Sequence, residues 1–199
     1  MKRSSWWLLL CGVHGVVSMI LWWGQESAVQ TLIWRADDWT GRVWTLWTSA
    51  WVHVNTPHLI GNQLALGALV AFAWVVRPPW PATLAWLLAW PLTQLSLVLW
   101  PHIGYAVGLS GLLHAGAMVL ACHLVLGRLP VPKARRWGAL LALGVGTKVV
   151  LERGWAQPVV WDAGIDTSVV QAAHLAGVLW GVGLGLLTAA WPRPSGVRA

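Results

Sequence analysis

Hydrophobic runs long enough to cross a bilayer recur six times along the chain, at about 6–24, 59–76, 81–100, 107–126, 137–151 and 169–191. About 20 apolar residues in helical form span roughly 30 Å of hydrocarbon. Backbone in that medium must satisfy its own hydrogen bonds, so each run predicts a helix. The pattern therefore predicts an all-α membrane protein, one six-helix bundle over residues 1–199. The fifth run is the shortest and contains Lys148. It reads as a thin or tilted helix whose lysine stem carries the ammonium to an interface.

Charge gives this arrangement a direction. Lys2, Arg3, Arg77, Arg128, Lys133, Arg135, Arg136, Arg193 and Arg198 fall on one side of the six spans. The other side holds Arg35, Arg42 and Arg153 with the acids Glu26, Asp37, Asp38, Glu152, Asp162 and Asp166. Because basic loops stay on the cytoplasmic side, both termini are expected there.

Composition agrees with the medium, since 57% of the chain is hydrophobic and 10% charged. The net charge of +7 does not point to nucleic acid, because the cations sit at helix ends and not on one soluble face. Anionic lipid is the expected partner. The N-terminal MKRSSWWLLL run is too long for a signal peptide, and Glu26 follows it badly for cleavage, so it reads as an uncleaved anchor. Cys11 and Cys122 lie in different apolar runs, which implies neither a disulfide nor a metal framework. Nineteen tryptophans exceed what interfacial belts need.

Three polar groups interrupt the apolar runs. In HVNTPHLIGN, Pro57 suits a helix start, and His58 and Asn62 are one turn apart on one helix face. In GLSG, residues 108–111, Ser110 opens a helix where backbone N–H groups lack partners and the dipole is positive, which favours an oxyanion. In AAHLAGVLWGVGLG, Gly177, Gly181 and Gly185 recur every fourth residue and form a smooth face, with His174 close to it. Taken singly, each group also fits interhelical hydrogen bonding or small-residue packing.

Depth separates these readings, because the predicted topology places His58, Asn62, Ser110 and His174 in one leaflet. A serine nucleophile, a histidine base and two donors for developing negative charge would then meet. No acid lies within an apolar run beside them, so a Ser–His dyad without an orienting carboxylate is expected. Asp162 and Asp166, the nearby outer-loop acids, are not assigned to it. His14, His102 and His123 are expected to be structural.

Together these motifs resemble the rhomboid family of intramembrane serine proteases. The resemblance runs from about residue 44 to 185 through H-x4-H-x3-N (His53, His58, Asn62), G-x-S-G (Gly108, Ser110, Gly111) and A-H-x-x-G-x-x-x-G (Ala173, His174, Gly177, Gly181). It implies a six-transmembrane-helix rhomboid-like bundle with Ser110 as nucleophile and His174 as base. It also implies an oxyanion and substrate-binding site of His58, Asn62 and the Gly108–Leu109–Ser110 backbone. His53, Gly111, Gly177 and Gly181 would support this site. One-turn spacing from Ser110 separately places His114 beneath His174, where it would set the ring's orientation or serve packing alone. The fifth helix and residues 152–168 would form a lateral gate and cap. No cofactor or metal is implied.

His114, four residues after the serine where many rhomboids have tyrosine, and the short chain resemble the rhombosortase branch. That resemblance implies single-span substrates ending in Gly-Gly, a helix and a basic tail (GlyGly-CTERM), cut near the outer face of a bacterial inner membrane. The acyl group would pass to water or to an amine. Trp44 is followed by Thr45 where many rhomboids have Trp-Arg, with Arg42 two residues earlier. Two alternatives are a non-catalytic client-binding protein and a haem or metal protein using His53, His58, His114 and His174.

Overall fold

A computed structural model describes residues 5–24 and 26–191. Lys2, Arg3, Arg193 and Arg198, used above for orientation, lie outside the described residues. The chain is an all-α membrane protein in architecture. Its helices are α1 (Ser5–Trp22), α2 (Glu26–Gln30), α3 (Thr45–Thr48), α4 (Thr56–Val76), α5 (Trp80–Leu95), α6 (Ser110–Val125), α7 (Ala134–Glu152) and α8 (Gln171–Ala190). Among the described residues four segments are long and apolar enough to cross a membrane: α1, α4, α5 with its 3-10 extension to Leu99, and α8. α6 is apolar but shorter.

Helix boundaries follow local chemistry. Asn55 caps α4 by accepting the His58 N–H through its side chain, and Pro57 sits in the first turn, where its missing donor costs nothing. α6 starts at Ser110, three residues later than the apolar run suggests, because Gly108 adopts a left-handed φ of 100°. α7 runs from Ala134 to Glu152, longer at both ends than the apolar run 137–151. The expectation of a short fifth helix is thus corrected: its charged terminal residues complete the helix.

α6 lies at the centre, with α5, α7 and α8 around it. Its contact with α8 is set by the glycine row. A Cβ on Gly177 would strike the Gly111 carbonyl, one on Gly181 would lie 2.5 Å from the Ala115 carbonyl oxygen, and one on Gly185 3.1 Å from Val119 Cα. Only hydrogen fits at the first two positions, so the two backbones touch directly, which maximises dispersion contact.

Tryptophan use extends beyond interfaces. Trp7 stacks on Trp86 at 4.4 Å between ring centroids, both fully buried. The indole N–H groups of Trp86, Trp90, Trp51 and Trp180 donate to the Leu112 carbonyl, the Trp47 carbonyl, His14 Nδ1 and Ser96 Oγ, respectively. Each ring fills space between segments and satisfies a polar atom where water is scarce. His14 Nδ1 accepts the Trp51 indole N–H, and His123 Nε2 lies 3.2 Å from Thr188 Oγ1.

The segment 26–55 folds beside the bundle. Its strand β1 (Trp34–Arg35) pairs antiparallel with β2 (Tyr105–Ala106), immediately before α6. Buried Trp34, Leu46, Leu97, Ile103, Ala106, Ala172 and Ala173 pack together there, tying this segment to the starts of α6 and α8. A second hairpin, β3 (Val160–Asp162) with β4 (Thr167–Val169), connects α7 to α8.

Close packing at Gly177 gives a direct test. Gly177→Leu is expected to prevent accumulation of folded protein, whereas Gly183→Leu, where an added Cβ meets open space, should leave it near wild type. Size-exclusion profiles and thermal unfolding of the two variants check this.

Candidate functional site

The N-termini of α4, α6 and α8 and the C-terminus of α7 meet at one end of the bundle around a cavity of about 450 Å³. His58, Asn62, Gly108, Ser110, Glu152 and His174 all line it. Arg77, Arg128 and Lys133–Arg136 flank the opposite helix ends.

Ser110 is the first residue of α6, so helix geometry leaves the N–H groups of Ser110, Gly111 and Leu112 without carbonyls one turn earlier in the helix. From the start of α8, His174 brings Nε2 to 2.9 Å from Ser110 Oγ. The glycine row makes this approach possible. His174 is 4% exposed, and its Nδ1 lies 2.9 Å from Glu152 Oε2. An ionised carboxylate only accepts, so this contact places the ring proton on Nδ1 and leaves the Nε2 lone pair facing the serine hydroxyl.

The expectation of a dyad without a carboxylate is therefore corrected. The acid is Glu152, not Asp162 or Asp166. Asp162 accepts the Gly164 N–H within its own turn. Glu152 escaped because it lies one residue beyond the apolar run 137–151, in what reads as the start of a loop. Its helix continues through it. The legible signal was the i, i+4 spacing of Lys148 and Glu152 at a helix end, and the structure pairs them. Lys148 Nζ is also 3.5 Å from His174 Nδ1. With the Nδ1 proton directed at Glu152 that pair is proximity, not a bond.

His114, one turn along α6, stacks on His174 with centroids 4.3 Å apart and planes 16° apart. Its Nδ1–H donates to the Ser110 carbonyl at 2.6 Å. Packing beneath the His174 ring, as expected, it limits that ring's tilt. His114, Glu152 and His174 are close enough together to be considered as metal ligands. The rings do not fit that role well: imidazole lone pairs lie in the ring plane, and two nearly parallel stacked planes do not converge on one ion. The Lys148 ammonium adds a positive charge beside them.

On the other side of Ser110, His58 and Asn62 of α4 border Gly108. A Cβ at Gly108 would sit 2.5 Å from His58 Nε2 and 3.5 Å from Asn62 Nδ2. Asn62 also donates to the His58 carbonyl at 3.1 Å, and His58 Nδ1 is buried without a hydrogen-bond partner among the described residues. His53 meets the His58 ring edge-on at 5.0 Å and bonds the Trp51 carbonyl through Nδ1 at 3.1 Å. Burial, reinforced by His58, holds the His53 pKa down at about 4, so the ring remains neutral near pH 7.

Residues not singled out from the sequence hold this frame. Gln94 donates to Ser49 Oγ at 2.9 Å, and the Ser49 carbonyl accepts the Gly108 N–H at 3.0 Å. Asn55 Nδ2 donates to the Ile165 and Asp166 carbonyls at 2.6 and 3.1 Å, fastening the turn between β3 and β4 to the start of α4. An Asn-Thr-Pro helix start could have identified Asn55 as a cap; nothing in the sequence indicates its second partner.

Of the predicted site residues, Ser110, His174, His114, His58, Asn62, His53, Gly108 and Gly111 gather here. Leu109 is fully buried behind them. Gly177 and Gly181 act at a distance, through the α6–α8 contact. No protein-family model matches the chain, and no curated protein matches it.

Gly108→Ala should strain the backbone and displace His58, costing about 1–3 kcal/mol. Gly104→Ala, facing open space, should cost far less. Thermal unfolding of both variants measures the difference.

Proposed function

We propose that the chain is an intramembrane serine endopeptidase of the rhomboid type, with six spans and both termini cytoplasmic. The observation that carries this reading is the 2.9 Å contact between Ser110 Oγ and His174 Nε2, beside unpaired helix N–H groups in a cavity able to receive a peptide. A hydroxyl in contact with an acceptor imidazole has the geometry of an activated nucleophile.

In the proposed reaction Ser110 Oγ attacks the scissile carbonyl carbon as its proton passes to His174 Nε2. Negative charge developing on the carbonyl oxygen is stabilised by the Ser110 N–H, by His58 and by Asn62, preorganised around Gly108. The C–N bond then breaks, and the leaving nitrogen takes the proton from Nε2. Water, or an amine as in sortase-like transfer, attacks the acyl-enzyme and returns Ser110 to its starting state.

The substrate proposed is a single-span membrane protein with Gly-Gly ahead of its helix and basic tail. A diglycine offers no side chains to the narrow space beside Gly108 and unwinds readily from a helix. The site would face the outer side of a bacterial inner membrane. A non-catalytic client-binding role leaves the Ser110–His174 contact unexplained, and haem or metal ligation by His53, His58, His114 and His174 is disfavoured by the stacked rings.

Co-expression with such a substrate tests the reading. Wild type should give a product ending near the glycines by intact mass, with any added mass reporting transfer to an amine. Ser110→Ala and His174→Ala should lose the product, and Ser110→Ala should keep its unfolding temperature. Cleavage by Ser110→Ala would exclude the proposed nucleophile.

A further inference from the structure

Glu152 and Lys148 belong to α7, which meets α8 far less extensively than α5 and α6 do. At its far end α7 is docked on α6, where a Cβ on Gly138 would lie 2.7 Å from Leu124 Cβ. Midway, Gly144 and Gly146 face open space and Leu140 and Leu143 are exposed. Only at the cavity end does the chain meet α8 closely: a Cβ on Gly154 would lie 2.5 Å from the Gln171 carbonyl oxygen, and the Ala172 N–H bonds the Pro158 carbonyl at 3.1 Å. The carboxylate that faces His174 is thus carried by another helix, whose closest approach to α8 is at this joint.

We propose that Glu152, held by Lys148, is a positioning residue that fixes His174 in the Nδ1–H tautomer, and that docking of the α7 end at Gly154 places it. This inference rests on the Ser110–His174 reading above. Chemically, a neutral imidazole has one N–H. If that proton sits on Nε2, the nitrogen facing Ser110 is a donor and cannot take the serine proton. Glu152 removes the ambiguity by accepting from Nδ1. Lys148, on the adjacent turn, pairs with the same carboxylate and turns it toward the histidine. Displacement of the α7 end from α8 would therefore withdraw the acceptor from Nδ1.

The test uses the full-length protein in lipid nanodiscs and a fluorophosphonate probe, which phosphonylates an activated serine with loss of fluoride. Glu152→Gln keeps the shape but allows the amide to donate to Nδ1, favouring the wrong tautomer. Its labelling rate should fall on the order of 10³-fold, with Glu152→Asp partly restoring it. Lys148→Met, at a half-exposed position, should lose less. Histidine 15N spectra, with His174 assigned by its absence in His174→Ala, should show Nδ1–H in wild type and Nε2–H in Glu152→Gln. That tautomer change is not expected from loss of packing alone.

Gly154→Ala should slow labelling roughly 10–100-fold by misplacing the carboxylate, while Gly146→Ala should not. Combined with Glu152→Gln, Gly154→Ala should add little, because both act through one contact. A Glu152→Gln rate within about threefold of wild type, or an unchanged His174 tautomer, would overturn the positioning role, and additive losses would overturn its dependence on Gly154. Equal labelling of wild type and Ser110→Ala would instead overturn the nucleophile reading itself.

Discussion

The backbone contact between α6 and α8 is the constraint on which the site depends. Side chains at Gly177 or Gly181 would meet carbonyl oxygens of Gly111 and Ala115, and α8 would have to stand farther away. Hydrogen-bond strength falls steeply beyond about 3 Å, so a small outward shift would end the contact between His174 Nε2 and Ser110 Oγ. Helix packing and candidate chemistry are one geometric fact here. Apolar side chains gain little by leaving lipid for protein, which makes this close contact of small residues a major source of helix association.

A second constraint is satisfaction of polar groups where little water is available. Indole N–H groups cross from one segment to another, and histidines and serines accept or share them. The aromatic rings fill volume while their donors fix register, which a purely aliphatic core would leave less specific. Gln94 and Ser49 extend this network to the Gly108 N–H. The turn before Ser110 is therefore held from below by side chains and from the side by β1 pairing with β2. Such support keeps a left-handed glycine and a helix-start serine in one geometry.

Around His174, three side chains from two helices constrain one ring. α6 supplies the serine on Nε2 and the stacked His114 beneath, and α7 supplies the carboxylate on Nδ1. Under the proposed function, the ring needs a fixed tautomer, a fixed plane and a short path to the hydroxyl, and each neighbour supplies one of these. The stacking that fixes the plane also makes His114 and His174 poor joint ligands for a cation, so the same contact favours proton transfer over coordination.

Local pattern along the chain is enough to read the helical medium, the helix-start position of Ser110, the pairing of His58 with Asn62 on one face, and the smooth face of α8. These are local or periodic properties: apolar run length, turn spacing and the absence of Cβ atoms. His114 beneath His174 was also legible, through one-turn spacing from the serine. For Glu152 the spacing from Lys148 marks only a pair at a helix end, and its helix extends past the apolar run 137–151, so its contact with His174 leaves no local signal. Asn55 shows the same division: its cap is readable from the next two residues, whereas its hold on Ile165 and Asp166 spans more than half the chain. Which helix end meets which is settled by packing in three dimensions, because lateral distances between helices leave no period in the sequence.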